Sequence, residues 1–187
     1  TDSSNLGFDS DRIEFIAEGT MDVPGTTITS PIVFASCGTP QAYPSLWTQG
    51  DEGDWWGIYF SHIGAGGSGT INYADIHHSQ WGVVSGNDNA TTVSNSTFAD
   101  NELCDIKSAT NSSGLEVSDC TIDIGGGIGM DLGAAGLVLD NVLIGSLTDT
   151  SDVGIACSPA NSGADTTLIV LNFVEGLELG IGIQLKG

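Results

Sequence analysis

The sequence predicts an all-β solenoid, a right-handed parallel β-helix of about six to seven coils with one long inserted loop at 36–54. Three observations lead there. The chain repeats itself at a period of about two dozen residues, the range in which solenoids declare themselves. Each repeat carries short apolar-alternating segments parted by an Asn-like residue and closed, in most repeats, by a glycine before the next apolar residue. Neither Asn-Gly nor Asp-Gly occurs anywhere, although hairpin turns of that kind would mark the competing antiparallel sandwich.

Taken in order, "RIEFIAEGTMDV" supplies a first, loosely matching coil and "TSPIVFAS" a strand after it. The loop at 36–54 follows, of a length usually reserved for function or motion. "DWWGIYF" then opens the regular part with the glycine-apolar-x-apolar signature at Gly57, Ile58 and Phe60. Five units come next: "TINYADIHHSQWGVVS", "TVSNSTFADNELCDIKS", "LEVSDCTIDIGGGIGMDLG", "LVLDNVLIGSLTDTSDVGIACS" and "IVLNFVEGLELGIGIQLKG". Taking Ile71, Val93, Val117, Leu139 and Val170 as equivalent gives spacings of 22, 24, 22 and 31. The chain thus reads as one domain over 1–187, regular over 54–187 and poorly matching over 11–53.

Two short strands are expected in each unit. Alternation turns Ile71, Ala74 and Ile76 inward, then Val93, Ser96 and Phe98, then Val117, Cys120 and Ile122, then Leu139, Val142 and Ile144. Asn95, Asp119, Asn141 and Asn172 stand at the bend, one per unit, where amides stacked ~4.8 Å apart can hydrogen bond as a ladder along the axis. The second strands bury Val83, Cys104, Met130, Ile155 and Ile183, with Gly82, Gly129, Gly154 and Gly182 before them and Leu103 in the glycine's place in one unit.

"VSNSTFADN" with its following "CDIKS", and "LEVSDCTIDIGGGIGMDL", resemble the right-handed parallel β-helix repeat superfamily, the pectate-lyase-like group. The resemblance covers about 54–187 and implies architecture only, since that superfamily includes lyases, hydrolases, adhesins and structural proteins. Its lyases imply an Arg or Lys base with calcium held by acids, and here only Lys107 beside Asp105 offers such a pair, which an ordinary surface ion pair also explains. Its hydrolases imply paired carboxylates, but their usual "NTD", "DD" and "RIK" signatures are absent from the chain.

Charge narrows the partners. Three basic residues (Arg12, Lys107, Lys186) face 24 acidic ones, a formal charge of −21. Nucleic acid and anionic membrane surfaces are disfavoured because both need basic patches, whereas cations, calcium above all, and high salt are favoured. No apolar run approaches the ~18 residues of a membrane span. An extracellular or cell-surface address is expected, and the sequons at Asn89, Asn95 and Asn111 agree with it.

Candidate sites follow from residue type. Asp105 and Asp131 read as equivalent outward carboxylates on adjacent coils, a calcium or sodium site or else a solvated acidic face. Trp47, Trp55, Trp56, Tyr59 and Trp81 gather in or near the loop and the next two coils, as partner contacts, sugar-stacking surfaces or a lid over the coil edge, with at least one of Trp55 and Trp56 outward. His62, His77 and His78 lack ligand spacing and read as surface residues. Cys37, Cys104, Cys120 and Cys157 are too scattered for zinc and read as buried thiols, or as a disulfide from Cys37.

The last coil is nearly continuous in Leu168, Ile169, Val170, Leu171, Phe173 and Val174. A strand apolar on both faces expects cover on both, and open solenoid ends need caps or partners. The chain therefore reads first as an extracellular structural or adhesive β-helix, a head-to-tail filament subunit or a module of a longer surface protein, without catalysis. A carbohydrate-binding or carbohydrate-active β-helix is the second reading. Ice binding is a distant third, because Thr97 and Thr121 do not extend into a long flat array.

Overall fold

The computed structural model describes residues 12–36, 51–63, 66–86, 90–109, 114–125, 127–133, 136–145, 152–157, 168–170, 172–175 and 181–185. The strands wind as a right-handed parallel β-helix. The first coil is β1 (Glu14–Ala17), β2 (Thr20–Pro24) and β3 (Ile32–Phe34); the second is β4 (Gly57–Phe60), β5 (Ser68–Asn72) and β6 (Ala74–His77). The third is β7 (Trp81–Ser85), β8 (Thr91–Ser94) and β9 (Thr97–Ala99), and the fourth β10 (Cys104–Ser108), β11 (Leu115–Ser118) and β12 (Thr121–Ile124). Then come β13 (Ile128–Leu132), β14 (Gly136–Leu139) and β15 (Val142–Gly145), followed by β16 (Val153–Cys157), β17 (Leu168–Val170), β18 (Phe173–Glu175) and finally β19 (Ile181–Leu185).

Every strand pairs in parallel with its counterpart one coil away. Sheet 1 runs β1-β4-β7-β10-β13-β16-β19, sheet 2 β2-β5-β8-β11-β14-β17 and sheet 3 β3-β6-β9-β12-β15-β18. Each full coil thus has three strands, not two. The sequence pattern merges sheets 2 and 3 because, from the second coil on, only one or two residues part them. Tyr73, Asn95, Asp119 and Asp140 hold the first of these positions with φ between 49° and 55°, the left-handed region that Asn and Asp tolerate best.

The core is a set of stacked columns. Ile71, Val93, Val117 and Val138 form one, and Ile76, Phe98, Ile122 and Leu143 another, all 1% exposed or less. Burying each such side chain is worth about 1.5–3 kcal/mol. Ile58, Val83, Ile106, Met130 and Ile155 stack in sheet 1. Ile106, not Cys104, belongs to that column.

The last coils are also one residue out of the expected register. Val138 rather than Leu139 pairs with Val117, Ile169 rather than Val170 follows it, and Leu143 rather than Val142 or Ile144 is buried. Asn141 causes the shift. It fills the inward bend column after Ala74, Ser96 and Cys120, leaving Asp140 in the left-handed position. Its Oδ1 accepts from Cys120 N (2.9 Å), and its Nδ2 donates to Leu139 O (2.9 Å), Val117 O (3.2 Å) and Asn172 Oδ1 (2.8 Å). Asn172 repeats the motif, donating to Val138 O and Val170 O. The amide ladder therefore joins Asn141 to Asn172. Asn95 and Asp119 stand one position earlier, and Asn95 Nδ2 instead donates to Asn72 Oδ1 (3.0 Å).

Replacing Asn141 by Ala removes the acceptor for Cys120 N in a site 1% exposed. The expected loss is about 3 kcal/mol of unfolding free energy in urea, whereas Asn95→Gly, at a left-handed position, should change stability by less than about 1 kcal/mol.

Candidate functional site

The outer face of sheet 1 carries a groove that joins several of the expected site residues. Just before β4, Trp55 and Trp56 part company into two different apolar clusters. Trp55 packs in the main core beside Phe15 (5.8 Å between ring centroids) and Phe34 (6.4 Å), with Nε1 donating to His77 O at 2.8 Å. Trp56 lies on the other side, in a second apolar cluster with Tyr59 and Val84, against which Ile16 and Trp81 pack. Trp56 turns outward as expected, yet it is only 8% exposed and Tyr59 only 4%. Trp81 is half-buried. Trp47 lies outside the described residues.

The groove has a volume of about 300 Å³ and is lined by Trp56, Tyr59, His62, Trp81, Val84 and Lys107, among others. Register places Tyr59, Val84, Lys107 and Asp131 in one outward row across β4, β7, β10 and β13. Lys107 Nζ sits 4.4 Å from the Trp81 ring centroid and 3.1 Å from Asp131 Oδ2. The ammonium is thus held by a ring face and a carboxylate at once. At the other end the Tyr59 hydroxyl meets His62 Nδ1. Burial pushes the Tyr59 phenol above its ordinary value, partly offset by the hydrogen bond its oxygen accepts from the His62 backbone N–H.

This arrangement corrects two expectations. Lys107 pairs with Asp131, not Asp105, and the two aspartates are not equivalent. Cys104 pairs with Trp81 and Ile128 and Ile106 with Val83 and Met130, which sets Asp105 level with Gly82 and Gly129. Asp105 is 3% exposed. Asn101 Nδ2 donates to its Oδ1 (2.7 Å), and Asn101 Oδ1 accepts from Ser79 N (2.9 Å) and Ser79 Oγ (2.5 Å). Burial holds the Asp105 carboxyl well above the usual carboxylate range, and Asp123 and Asp100 add to it, while the Asn101 bond works the other way. Sequence reasoning missed this group because it put Leu103, which is 39% exposed, at the glycine level.

Among the described residues no three His, Cys, Asp or Glu side chains converge to hold a metal ion. His77 Nε2 is 3.0 Å from Asp75 Oδ1, and His78, expected at the surface, is buried with Nε2 3.9 Å from Asp100 Oδ2. Thr97 and Thr121 do stand in register, between Asp75 and Val142, so their row of threonines is two long. Asn89, Asn111, Cys37 and Leu171 lie outside the described residues, as does most of the expected loop; at its ends Ser36 Oγ donates to Asp54 Oδ2 at 2.7 Å. No helix among the described residues is long and apolar enough to cross a membrane.

Cys104, Cys120 and Cys157 are free and buried. Burial raises all three thiols, Cys120 to about 12.

No family model, curated protein or solved structure matches the chain. The parallel solenoid is established by its sheets, and its activity has to be argued from its own surfaces.

Two outcomes are expected. Because thiolate is the reactive form, Cys104, Cys120 and Cys157 should resist iodoacetamide in the native protein and label on unfolding, as read by mass spectrometry. Lys107→Met should cost less than about 1 kcal/mol by denaturant titration, since its ion pair with Asp131 is partly exposed.

Proposed function

We propose that this chain is an extracellular structural or adhesive β-solenoid of the pectate-lyase-like architecture, without catalytic chemistry, whose end coils are covered by further β-helix. The observation that carries this reading is the apolar character of both end coils. Phe15 is 44% and Ile32 37% exposed on the first, while Leu168, Phe173 and Ile183 are 54%, 56% and 52% exposed at the far end. Phe15 and Ile183 are the two ends of one core column of sheet 1. Stacking another coil on either end extends all three sheets with the same parallel pairing, and heterologous contacts of that kind propagate.

The charge of −21 opposes the approach of two such ends, and counterions lower that barrier. Purified protein should therefore form axial assemblies in millimolar calcium or high salt, visible by electron microscopy and light scattering, and Ile183→Asp should abolish them. Scattering that is the same in chelator, calcium and high salt contradicts head-to-tail stacking.

A second reading, glycan retention, is favoured by the groove on sheet 1. Trp81 is its more open indole and Lys107 its cation, whereas Trp55 is committed to the core. Native gels containing polysaccharide should show retardation that Trp81→Ala removes. Mobility unchanged across neutral and acidic polymers sinks this reading and leaves the structural one intact.

A further inference from the structure

The start of β10, just after the turn from sheet 3 to sheet 1, holds a buried acid that neither reading uses. Gly57, Gly82, Gly129, Gly154 and Gly182 occupy one level of sheet 1, with Glu14 at its end on β1 and Asp105 within it on β10. The column faces the core. A Cβ on Gly82 would lie 3.0 Å from Phe98 Cδ1, and one on Gly129 would lie 3.1 Å from Leu143 Cδ2 and 3.2 Å from Ile124 Cδ1. At this crowded level the fourth coil carries a carboxyl.

Its partner is saturated. Asn101 uses both amide protons, on Asp105 Oδ1 and on Ile76 O (3.2 Å), and its oxygen takes both Ser79 donors. Asn101 therefore ties the turn at Ile76 and Ser79 to the next turn, and Asp105 is the residue against which it is braced. The titratable neighbours are mostly acids: Asp100 on the same turn and Asp123 on β12 raise the carboxyl further. Cys104 is adjacent in sequence. Asp131 on β13 binds the nearest lysine, Lys107, on the outer face. On the preceding turn His78 approaches Asp100 only to 3.9 Å. From β7 the facing level is Gly82, which brings no charge.

We infer that Asp105 is a proton-operated fastening between successive turns, closed when its carboxyl is neutral and loosened over 78–82 and 100–105 when it ionises. Among the described residues the two nearby cations are engaged elsewhere, Arg12 with Glu102 (3.8 Å) and Lys107 with Asp131 (3.1 Å), and a buried carboxylate among acids is costly. Opening the turn to water relieves that cost. The sign follows from linkage: the folded carboxyl keeps its proton above the ordinary range around 3.8, where the unfolded chain has released it. Stability from this group is thus full in acid and falls as pH rises from that range through the folded value. That is the reverse of a salt-bridged aspartate.

The test compares wild type with Asp105→Asn, Asp105→Gly and, as a control that removes one exposed carboxylate, Glu116→Gln. Unfolding is followed from acid to alkaline pH in about 1 M salt, which screens the net charge. Wild type and the Glu116→Gln control should lose at least about tenfold in folding equilibrium constant across the range, with faster exchange of the Ser79 amide. Both Asp105 variants should fall less steeply between acid and neutral pH, while the fall at alkaline pH from the raised thiols stays in all four proteins. Equal slopes in wild type and Asp105→Asn overturn the inference. If the variants do not fold, the wild-type Asp105 carboxyl carbon-13 shift decides: a protonated signal at neutral pH supports the fastening, and an ionised one refutes it.

Discussion

The structure depends on one constraint: each coil must leave its bends at the same height as the coil beside it, so that buried backbone groups there meet a partner. A solenoid bend takes amide and carbonyl groups away from water without giving them a ladder bond. Here neighbouring coils supply the missing partners. Ser96 Oγ accepts from Ala74 N, Asn141 from Cys120 N and Asn172 from Asn141 N, each one coil apart. Asn101 does the same on the other side of the coil for Ser79. The apolar columns provide most of the stabilisation, but they alone tolerate slippage, since valine, leucine and isoleucine recur at adjacent positions. The polar contacts do not tolerate it, because a displaced bend leaves buried donors unpaired at a cost of about 1–3 kcal/mol each.

That division explains what the sequence reveals and what it conceals. The period, the columns of Ile71, Val93 and Val117, and the glycines of sheet 1 were all legible, because repeated apolar spacing reports repeated geometry. Near Asn141 the apolar run "GLVLDNVLIG" offers two alignments that differ by one residue. Hydrophobic pattern favours Leu139, whereas hydrogen bonding at the bend decides for Val138. In "ELCDIKS" two alignments two residues apart keep the same inward parity, and the pattern could not show that Ile106 rather than Cys104 stacks on Val83. The buried carboxyl of Asp105 was hidden by that choice. The third strand was hidden because its boundary is only one or two residues long, the left-handed one carried by Tyr73 in one coil and by Asn or Asp in the others.

The site was less legible than the fold. Outward residues of a solenoid are free of the stacking rule, so nothing periodic announces what they do. The tryptophans were found as a cluster, but which ring is sealed and which is open depends on neighbours one coil away. Trp56 is closed over by Tyr59 and Val84, and Trp81 remains the accessible face with Lys107 upon it. The strong acidity also acquires an interior aspect. Most carboxylates repel one another at the surface, where salt screens them, whereas Asp105 is 3% exposed and burial raises its carboxyl.

The most direct test of the stacked register is the set of nuclear Overhauser contacts among the core methyl groups. The account predicts cross-peaks linking Val93 to Val117 and Val117 to Val138, with none from Val117 to Leu139 of comparable strength. Val93 and Val117 without mutual contact, or Leu139 in place of Val138, would contradict it.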